Sequence, residues 1–204
     1  MFYYFARFWV RIYLKLFFRV SFTNEAPLPE KEAYIMAGKH ISYLDPVMMA
    51  CHSKKRMYHL AKSTLFEKNR GFTWLLNHLG ALPVAFDTVS LSSMRSAVKV
   101  LKEGGILGVF PEGTRVHSNQ KLTGGAGTLV LARMAKCPIV PFGIFTEGYR
   151  VKIFSKISVR IGKPVQLEEL GVKHGTKEEY DRGMGLLLKE IKRLSEPDYE
   201  VASC

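Results

Sequence analysis

The chain has 204 residues, of which 47% are hydrophobic, and it carries a net charge of +12 with a pI near 9.7. This length and apolar content suit one globular domain with a substantial core, and they exclude a disordered or repeat-only protein. The positive charge implies an anionic partner, which could be nucleic acid, an anionic membrane or a phosphorylated substrate. The three cysteines, Cys51, Cys137 and Cys204, form no CxxC pair, and we expect free thiols in a reducing compartment.

Residues 1–22 form the first predicted element, an amphipathic helix. The segment reads MFYYFARFWVRIYLKLFFRVSF and contains no proline, glycine or acidic residue. Its cations, Arg7, Arg11, Lys15 and Arg19, recur every four residues, so on a helix they form one basic stripe beside aromatic and aliphatic side chains. This pattern predicts a helix that lies in the membrane interface, with apolar side chains below the headgroups and cations on lipid phosphates.

Three other interpretations of this segment stay open. A signal peptide would concentrate its charge before the apolar stretch and end at a small-residue cleavage site, which SFTNEAPLPE supplies poorly. A membrane-spanning helix is long enough, but it would place Arg11 and Lys15 near the bilayer centre. A helix packed wholly inside the domain would have to bury four cations or extend them to solvent.

The remaining chain divides into a linker, residues 23–32 with Pro27 and Pro29, and one domain, residues 33–204. Apolar runs predict strands, in chain order, at residues 33–40, 57–63, 80–86, 106–110, 139–145 and 156–165. Helices are predicted from an Asp45 N-cap with Pro46 at the first helical position, at 92–103, at 126–136 and, largely exposed, at 177–194. The alternation predicts an α/β fold, a single domain with a mixed central sheet flanked by helices, with its chemistry in the loops after strand ends.

The motif GKHISYLDP places His40 and Asp45 at a strand-to-helix junction. Histidine can accept a proton near neutral pH, and a neighbouring carboxylate can hold the ring in the useful tautomer. The spacing alone leaves other interpretations open: Asp45 can be explained as a helix cap, His40 can be a solvent-exposed loop residue, and the pair could hold a hydrolytic metal. The other histidines lack metal-ligand spacing with acidic residues or cysteines, so no metal site is expected.

A second motif, ILGVFPEGTR, is a buried strand that ends in Pro111, Glu112, Gly113, Thr114 and Arg115. Glycine lets backbone N–H groups approach an anion, and a hydroxyl and a guanidinium can bind it. The motif therefore predicts a phosphate site, although an ordinary polar turn explains the same residues.

The combination of the two motifs, some seventy residues apart, resembles the glycerolipid acyltransferase family, especially the bacterial 1-acylglycerol-3-phosphate acyltransferases. Residues 62–66, Gly71, GALPV and IVPFGI are similar to other blocks of that family, and KISVRIGKPV to its last strand. The resemblance implies that His40 is the general base for the acceptor hydroxyl and that Asp45 orients it. It also implies that Glu112, Gly113, Thr114 and Arg115 bind the acceptor phosphate, and that Pro141 shapes the acyl pocket. Ser42 is a weaker candidate.

The chain departs from the family pattern at two positions. Lys39 precedes His40 where the family usually has asparagine, and it could hold phosphates of the donor. Phe86 stands where the family commonly has a phosphate-binding arginine, and Lys62, Arg95 or Lys121 could substitute for that arginine.

The resemblance implies an O-acyltransferase of phospholipid biosynthesis at the cytoplasmic face of the cell membrane. It would move a fatty acyl group from acyl-coenzyme A or acyl-carrier protein to 1-acylglycerol 3-phosphate, giving phosphatidic acid, without a metal or other cofactor. Glycerol 3-phosphate or another lysolipid is the alternative acceptor. A peripheral module that binds anionic lipid without catalysis would explain the charge and the first helix but not the His40 motif. No nucleic-acid partner is expected, because the aromatic and basic segment is too apolar for a soluble nucleic-acid face.

Overall fold

The computed structural model describes residues 1–84, 91–116 and 122–196. The helices are α1 (Phe2–Phe17), α2 (Asp45–His52), α3 (Arg70–His78), α4 (Leu91–Lys102), α5 (Gly127–Ala135) and α6 (Lys177–Ser195). The strands are β1 (Arg19–Asn24), β2 (Tyr34–Gly38), β3 (Met57–Lys62), β4 (Ala81–Val84), β5 (Ile106–Val109), β6 (Ile139–Thr146) and β7 (Lys156–Ile161). Short 3-10 helices cover Ser63–Glu67 and Glu147–Tyr149.

The strands form one mixed sheet in the order β1-β7-β6-β2-β5-β3-β4. Strands β2 to β6 run parallel, β7 is antiparallel to β6, and β1 is parallel to β7. Helices connect the parallel strands, so the predicted α/β fold with a mixed sheet is confirmed. All carboxyl ends of β2 to β6 therefore meet at one edge of the sheet, where residues of distant loops come together.

The sheet is buried on both faces, which explains why its central strands are continuous apolar runs. One face packs with α4, α5 and α6 around a core that includes Ile35, Leu107 and Ile139. The other face packs with α1 and α2 around a core that includes Met36, Ile106 and Phe142. Successive residues of β2 alternate between the two cores, as the pleat of a strand requires.

Two of the three cysteines lie in these cores as buried free thiols, Cys51 and Cys137, as predicted. Burial raises the pKa of Cys51, and it raises that of Cys137 to about 11. Both thiols are therefore protonated at neutral pH and unreactive. Cys204 lies outside the described residues.

The N-terminal segment differs from the prediction of one helix over residues 1–22. Helix α1 ends at Phe17, Phe18 is extended with φ −141°, and Arg19–Asn24 forms edge strand β1. Val20 and Phe22 are half-buried whereas Arg19, Ser21 and Thr23 are exposed, a period of two that favours a strand. The prediction missed this change of period, so the sheet begins within the predicted anchor and includes the first residues of the predicted linker.

Helix α6 was predicted to be largely exposed, and this is wrong for one of its faces. Met184, Leu187, Ile191 and Leu194 are buried at helical spacing. The helix begins with a capping box in which the Thr176 side chain accepts from the N–H of Glu179. Its charged residues lie on the opposite face, which gave the segment its polar composition.

None of the helices described here combines the length and apolarity that a membrane crossing requires.

Strand β3 contains an unusual core residue, His59, which is buried near the sheet edge that carries His40. A Cβ at position 108 would lie 2.3 Å from His59 Nδ1, so the neighbouring strand needs Gly108 for the ring to fit. Burial and, to a smaller extent, the nearby His40 together lower the pKa of His59 to about 4, against an opposing contribution from the Pro46 carbonyl. His59 is therefore neutral in the folded protein at neutral pH.

The stability of the protein should fall in acid because of His59. Between about pH 6.5 and 4 the unfolded chain protonates this imidazole and the folded protein does not, so the free energy of unfolding decreases by about 3 kcal/mol. Urea unfolding at a series of pH values measures this change. In a His59→Leu variant the decrease should be smaller by that amount, whereas His174→Ala, at an exposed site, should behave as wild type. An unchanged pH dependence in His59→Leu would contradict the assignment.

Candidate active site

His40 and Asp45 meet at the carboxyl end of β2. The distance from His40 Nδ1 to Asp45 Oδ2 is 2.7 Å, and the Asp45 side chain is 0% exposed. The same Oδ2 also accepts the backbone N–H groups of Ile41 at 2.6 Å and Ser42 at 2.7 Å. Three donors thus converge on one carboxylate oxygen, and the contact with this acceptor places the proton of His40 on Nδ1.

The structure also distinguishes two interpretations of Asp45, which could cap helix α2 or could form a dyad with His40. The N-cap of α2 is Leu44, and Asp45 is the first helical residue, followed by Pro46. The prediction of Asp45 as N-cap is therefore wrong by one position. The carboxylate turns back to the residues before the helix, where it accepts from the His40 ring and from two loop N–H groups.

The His40 ring also packs against Phe110, the residue that follows β5. The two rings are stacked with their centroids 4.1 Å apart and an interplanar angle of 20°. The His40 side chain keeps 17% of its surface exposed, and no described residue hydrogen-bonds its Nε2. With the proton on Nδ1, the Nε2 lone pair can accept a proton from a bound hydroxyl.

Glu112 braces the loop after β2. Its Oε2 accepts the backbone N–H of His40 at 3.0 Å, and the N–H of Val116 donates to the His40 carbonyl at 2.7 Å. Burial raises the pKa of Glu112, and its Oε1 has no partner within the described ranges. The sequence predicted that Glu112 binds phosphate, but the structure places its carboxylate on the His40 backbone, where a second anion would be repelled.

The rest of this loop has a different character. Gly113 adopts φ +68° and donates its N–H to the Phe110 carbonyl at 3.0 Å, a turn that favours glycine. Thr114 is exposed beside it. Gly113 and Thr114 therefore stand at the same sheet edge as His40, and Thr114 is the more exposed of the two.

Arg115 is held in place by Tyr43, a residue that the sequence gave no reason to select. The guanidinium carbon lies 3.7 Å from the centroid of the Tyr43 ring, and Nη2 donates to the Tyr43 hydroxyl at 2.9 Å. Tyr43 is 71% exposed and belongs to the His40–Asp45 loop. The Tyr43–Arg115 pair places a cation beside the dyad. It is a second contact between the two motifs, in addition to the bond from His40 to Glu112.

Ser42 has a local structural role. Its hydroxyl accepts the N–H of Leu44 at 3.2 Å, and its own N–H donates to Asp45. Both bonds shape the turn between His40 and α2.

The predicted lysines lie in different surroundings. Lys39 is 4% exposed, with its Nζ 4.4 Å from the Tyr149 ring centroid, and burial lowers its pKa. Lys62 is exposed at the end of β3, level with Lys39 in the strand register and about 10 Å away across two strand spacings. Lys62 is thus exposed at the sheet edge, whereas Lys39 is enclosed.

Two further predicted residues lie on α4 and β6. Arg95 lines a surface hollow with Val98 of its own helix and Met134 of α5. Pro141 lies on the core face opposite Phe142 and packs near Leu194, since both approach Gly162. The role of Pro141 in the acyl pocket stays a prediction. Phe86 and Lys121 lie outside the described residues.

Known proteins share this sequence pattern. A sequence model of the family described as Acyltransferase matches residues 19–145. The chain is 30% identical over 159 residues to the 1-acyl-sn-glycerol-3-phosphate acyltransferase of Bacillus subtilis, covering 76% of this chain and 78% of that protein. It is 33% identical over 153 residues to the protein of the same name from Streptococcus pneumoniae, covering 72% of this chain and 56% of that protein.

The fold is also similar to a solved structure. The 1-acyl-sn-glycerophosphate (LPA) acyltransferase of Thermotoga maritima superposes with a TM-score of 0.66 over 91% of this chain and 76% of that chain. The sequence identity is 21%, so this likeness concerns the fold.

The brace formed by Glu112 can be tested by stability. Glu112→Ala leaves the His40 N–H without its acceptor and should lower the free energy of unfolding by about 1–3 kcal/mol. Glu112→Gln keeps an acceptor and removes a buried charge, so it should remain within about 1 kcal/mol of wild type. Urea unfolding at pH 7 compares them. Equal stability of the two variants would show that the bond to His40 does not hold the loop.

Proposed function

The chain belongs to the acyltransferase family and is an O-acyltransferase, and we propose that it acylates 1-acylglycerol 3-phosphate to give phosphatidic acid. The observation that carries this proposal is the dyad with its open Nε2 beside a cation held by the neighbouring loop. The names of the Bacillus subtilis and Streptococcus pneumoniae relatives support the same acceptor.

The proposed chemistry begins at His40. The acceptor hydroxyl gives its proton to Nε2 as its oxygen attacks the carbonyl carbon of the acyl thioester. Asp45 stabilises the imidazolium that forms. The tetrahedral oxyanion then collapses, the carbon–sulfur bond breaks, and the departing thiolate takes the proton from His40. This reaction needs no metal or prosthetic group, and its thioester is acyl-coenzyme A or acyl-carrier protein.

The acceptor phosphate would bind beside the dyad. Arg115 supplies a planar guanidinium already oriented by Tyr43, and Thr114 adds an exposed hydroxyl. Lys62 provides a second cation at the same edge. Glu112 contributes indirectly, since it holds the backbone of His40 in place.

We assign the membrane contact to α1, at the cytoplasmic face of the cell membrane. The buried side of this helix includes Tyr3 and Leu14. The outward side carries large exposed apolar groups, among them Phe5, Phe8 and Trp9, with the exposed cations Arg11 and Lys15 along one flank. A helix that is apolar on the side away from its own protein suits the interface of an anionic bilayer.

The proposed reaction predicts the behaviour of a His40→Ala variant. Purified protein in mixed micelles is offered labelled acyl-coenzyme A or acyl-carrier thioester with 1-acylglycerol 3-phosphate, glycerol 3-phosphate or other lysophospholipids. Transfer should be strongest to 1-acylglycerol 3-phosphate, and His40→Ala should lower kcat about 10²- to 10⁴-fold because the general base is lost.

The control is His78→Ala, which removes an exposed imidazole on α3 and should leave kcat unchanged. Unchanged transfer by His40→Ala would refute the mechanism. Transfer to none of the acceptors by folded wild-type protein would refute the proposed activity.

The phosphate site predicts a selective defect in Arg115→Gln. Loss of one charge-assisted hydrogen bond should raise KM for 1-acylglycerol 3-phosphate about 10- to 100-fold. Transfer to monoacylglycerol, which has no phosphate, should change little. Steady-state kinetics with both acceptors measures the difference. If the two KM values rise equally, Arg115 supports the loop and does not bind phosphate.

A further inference from the structure

The connection between β6 and β7 carries two large apolar side chains in solvent. Ile153 is 61% exposed and Phe154 is 63% exposed. They occupy the two central positions of a turn in which the Ser155 N–H donates to the Lys152 carbonyl at 3.0 Å. The Ser155 hydroxyl accepts the Lys152 N–H at 2.9 Å. The turn is therefore well defined, and it presents Ile153 and Phe154 at its tip.

The conformation of Phe154 makes its side chain unfavourable for folding. Its φ is +66°, in the left-handed region where glycine or asparagine is favoured. A phenylalanine here adds backbone strain, and in the free protein most of its side chain remains exposed to solvent. Folding would be served better by glycine, so the exposed ring points to a role outside the fold.

The turn lies against the end of α1. The Phe154 N–H donates to the Phe17 carbonyl at 2.7 Å, and the Arg19 N–H donates to the Ser155 carbonyl at 3.0 Å. The last turns of α1 expose further apolar groups, with Leu16 at 64%, Tyr13 at 44% and Phe17 at 39%. Tyr13, Leu16, Phe17, Ile153 and Phe154 therefore form a docking surface from two distant parts of the chain.

This docking surface lies at the edge of the sheet that carries the dyad. Tyr3 near the start of α1 accepts the N–H of Met57, the first residue of β3, so α1 begins at the amino edge. Its end adjoins the start of β7, where Ile157 pairs with Thr146, the last residue of β6. The helix thus crosses the sheet, about 24 Å from end to end, and finishes at the carboxyl edge.

The same connection reaches the dyad loop through Tyr149. The Tyr149 ring lies over Lys39, the residue before His40. Only a short run of residues separates Tyr149 from the tip of the turn. The connection that carries the docking surface therefore also contacts the residue before His40.

The charges bordering the docking surface identify the partner. Exposed cations flank the docking surface on the α1 segment and on the β6–β7 connection: Lys15, Arg19, Arg150, Lys152 and Lys156. The connection also has an exposed carboxylate, Glu147. Apolar side chains ringed by cations complement a bilayer whose headgroups are anionic.

We infer that the Ile153–Phe154 turn is a second membrane-docking element, which inserts beside the end of α1 into an anionic lipid surface and turns the dyad toward it. The inference rests on the proposed membrane contact of α1 and extends it to a segment more than a hundred residues away. One helix could rotate on a membrane about its long axis, whereas two contacts fix the orientation of the domain.

Vesicle sedimentation of the full chain tests this inference without any acyl transfer, so it is independent of the proposed reaction. The probes are vesicles of phosphatidylglycerol with phosphatidylcholine and vesicles of phosphatidylcholine alone. The variants are Phe154→Gly and the double variant Ile153→Ser with Phe154→Gly. The matched control is Leu186→Ser, which removes a 47% exposed leucine from α6 on the other face.

The double variant should bind the anionic vesicles about 10- to 100-fold more weakly than wild type, and Leu186→Ser should bind as wild type. Phe154→Gly should bind more weakly while its Tm stays equal or rises, because glycine relieves the strained φ. A purely structural role would lower the Tm and leave vesicle binding unchanged.

Three results would overturn the inference. The first is wild-type affinity of the double variant for the anionic vesicles. The second is equally tight binding of wild type to neutral vesicles. The third is a wild-type dimer, seen by size-exclusion chromatography, that the double variant converts to a monomer, since the docking surface would then be an interface between copies of the chain.

Discussion

The arrangement of the site depends on the buried carboxylate of Asp45. One oxygen collects the ring N–H of His40 and two backbone N–H groups of the loop between them. These donors replace water around Oδ2, since the Asp45 side chain has no exposure to solvent. The same three bonds shape the loop, set the tautomer of His40 and turn Nε2 outward. The hydrogen bonds to Asp45 thus both shape the loop and orient the base, so the position of His40 cannot be changed without disturbing the fold around it.

The parallel sheet makes this interaction useful because it places a second loop beside the first. Strands β2 and β5 are neighbours, so the residues that follow them meet although seventy positions separate them. Glu112 and Val116 bond to the backbone of His40, Phe110 stacks on its ring, and Arg115 rests on Tyr43. The motif after β5 therefore has two roles. Phe110 and Glu112 support the base, and Arg115 places a cation beside it.

Much of the fold was readable in the sequence because the buried strands and the helix ends have strong local signals. The limits of that reading appear at the N-terminus, where the aromatic, apolar helix runs directly into RVSFTN and its alternation of polar and apolar residues was overlooked. Pairing with β7 holds this strand, Arg19–Asn24, in the sheet. The predicted exposure of α6 failed similarly, since its many charges concealed an apolar stripe that β6 and the neighbouring helices cover.

The chemical groups of the site could be read from the sequence: a histidine, a carboxylate, a cationic loop and an aromatic, basic helix, in motifs specific enough to indicate the family. The sequence could not give the distances between these groups, because contacts between residues far apart in the chain follow from strand order and register. The tertiary structure alone decided that Glu112 faces the His40 backbone, that Tyr43 holds Arg115 and that Lys39 is enclosed. It also joined Phe154 to the end of α1, since that contact exists only because β7 returns to the edge where the helix finishes.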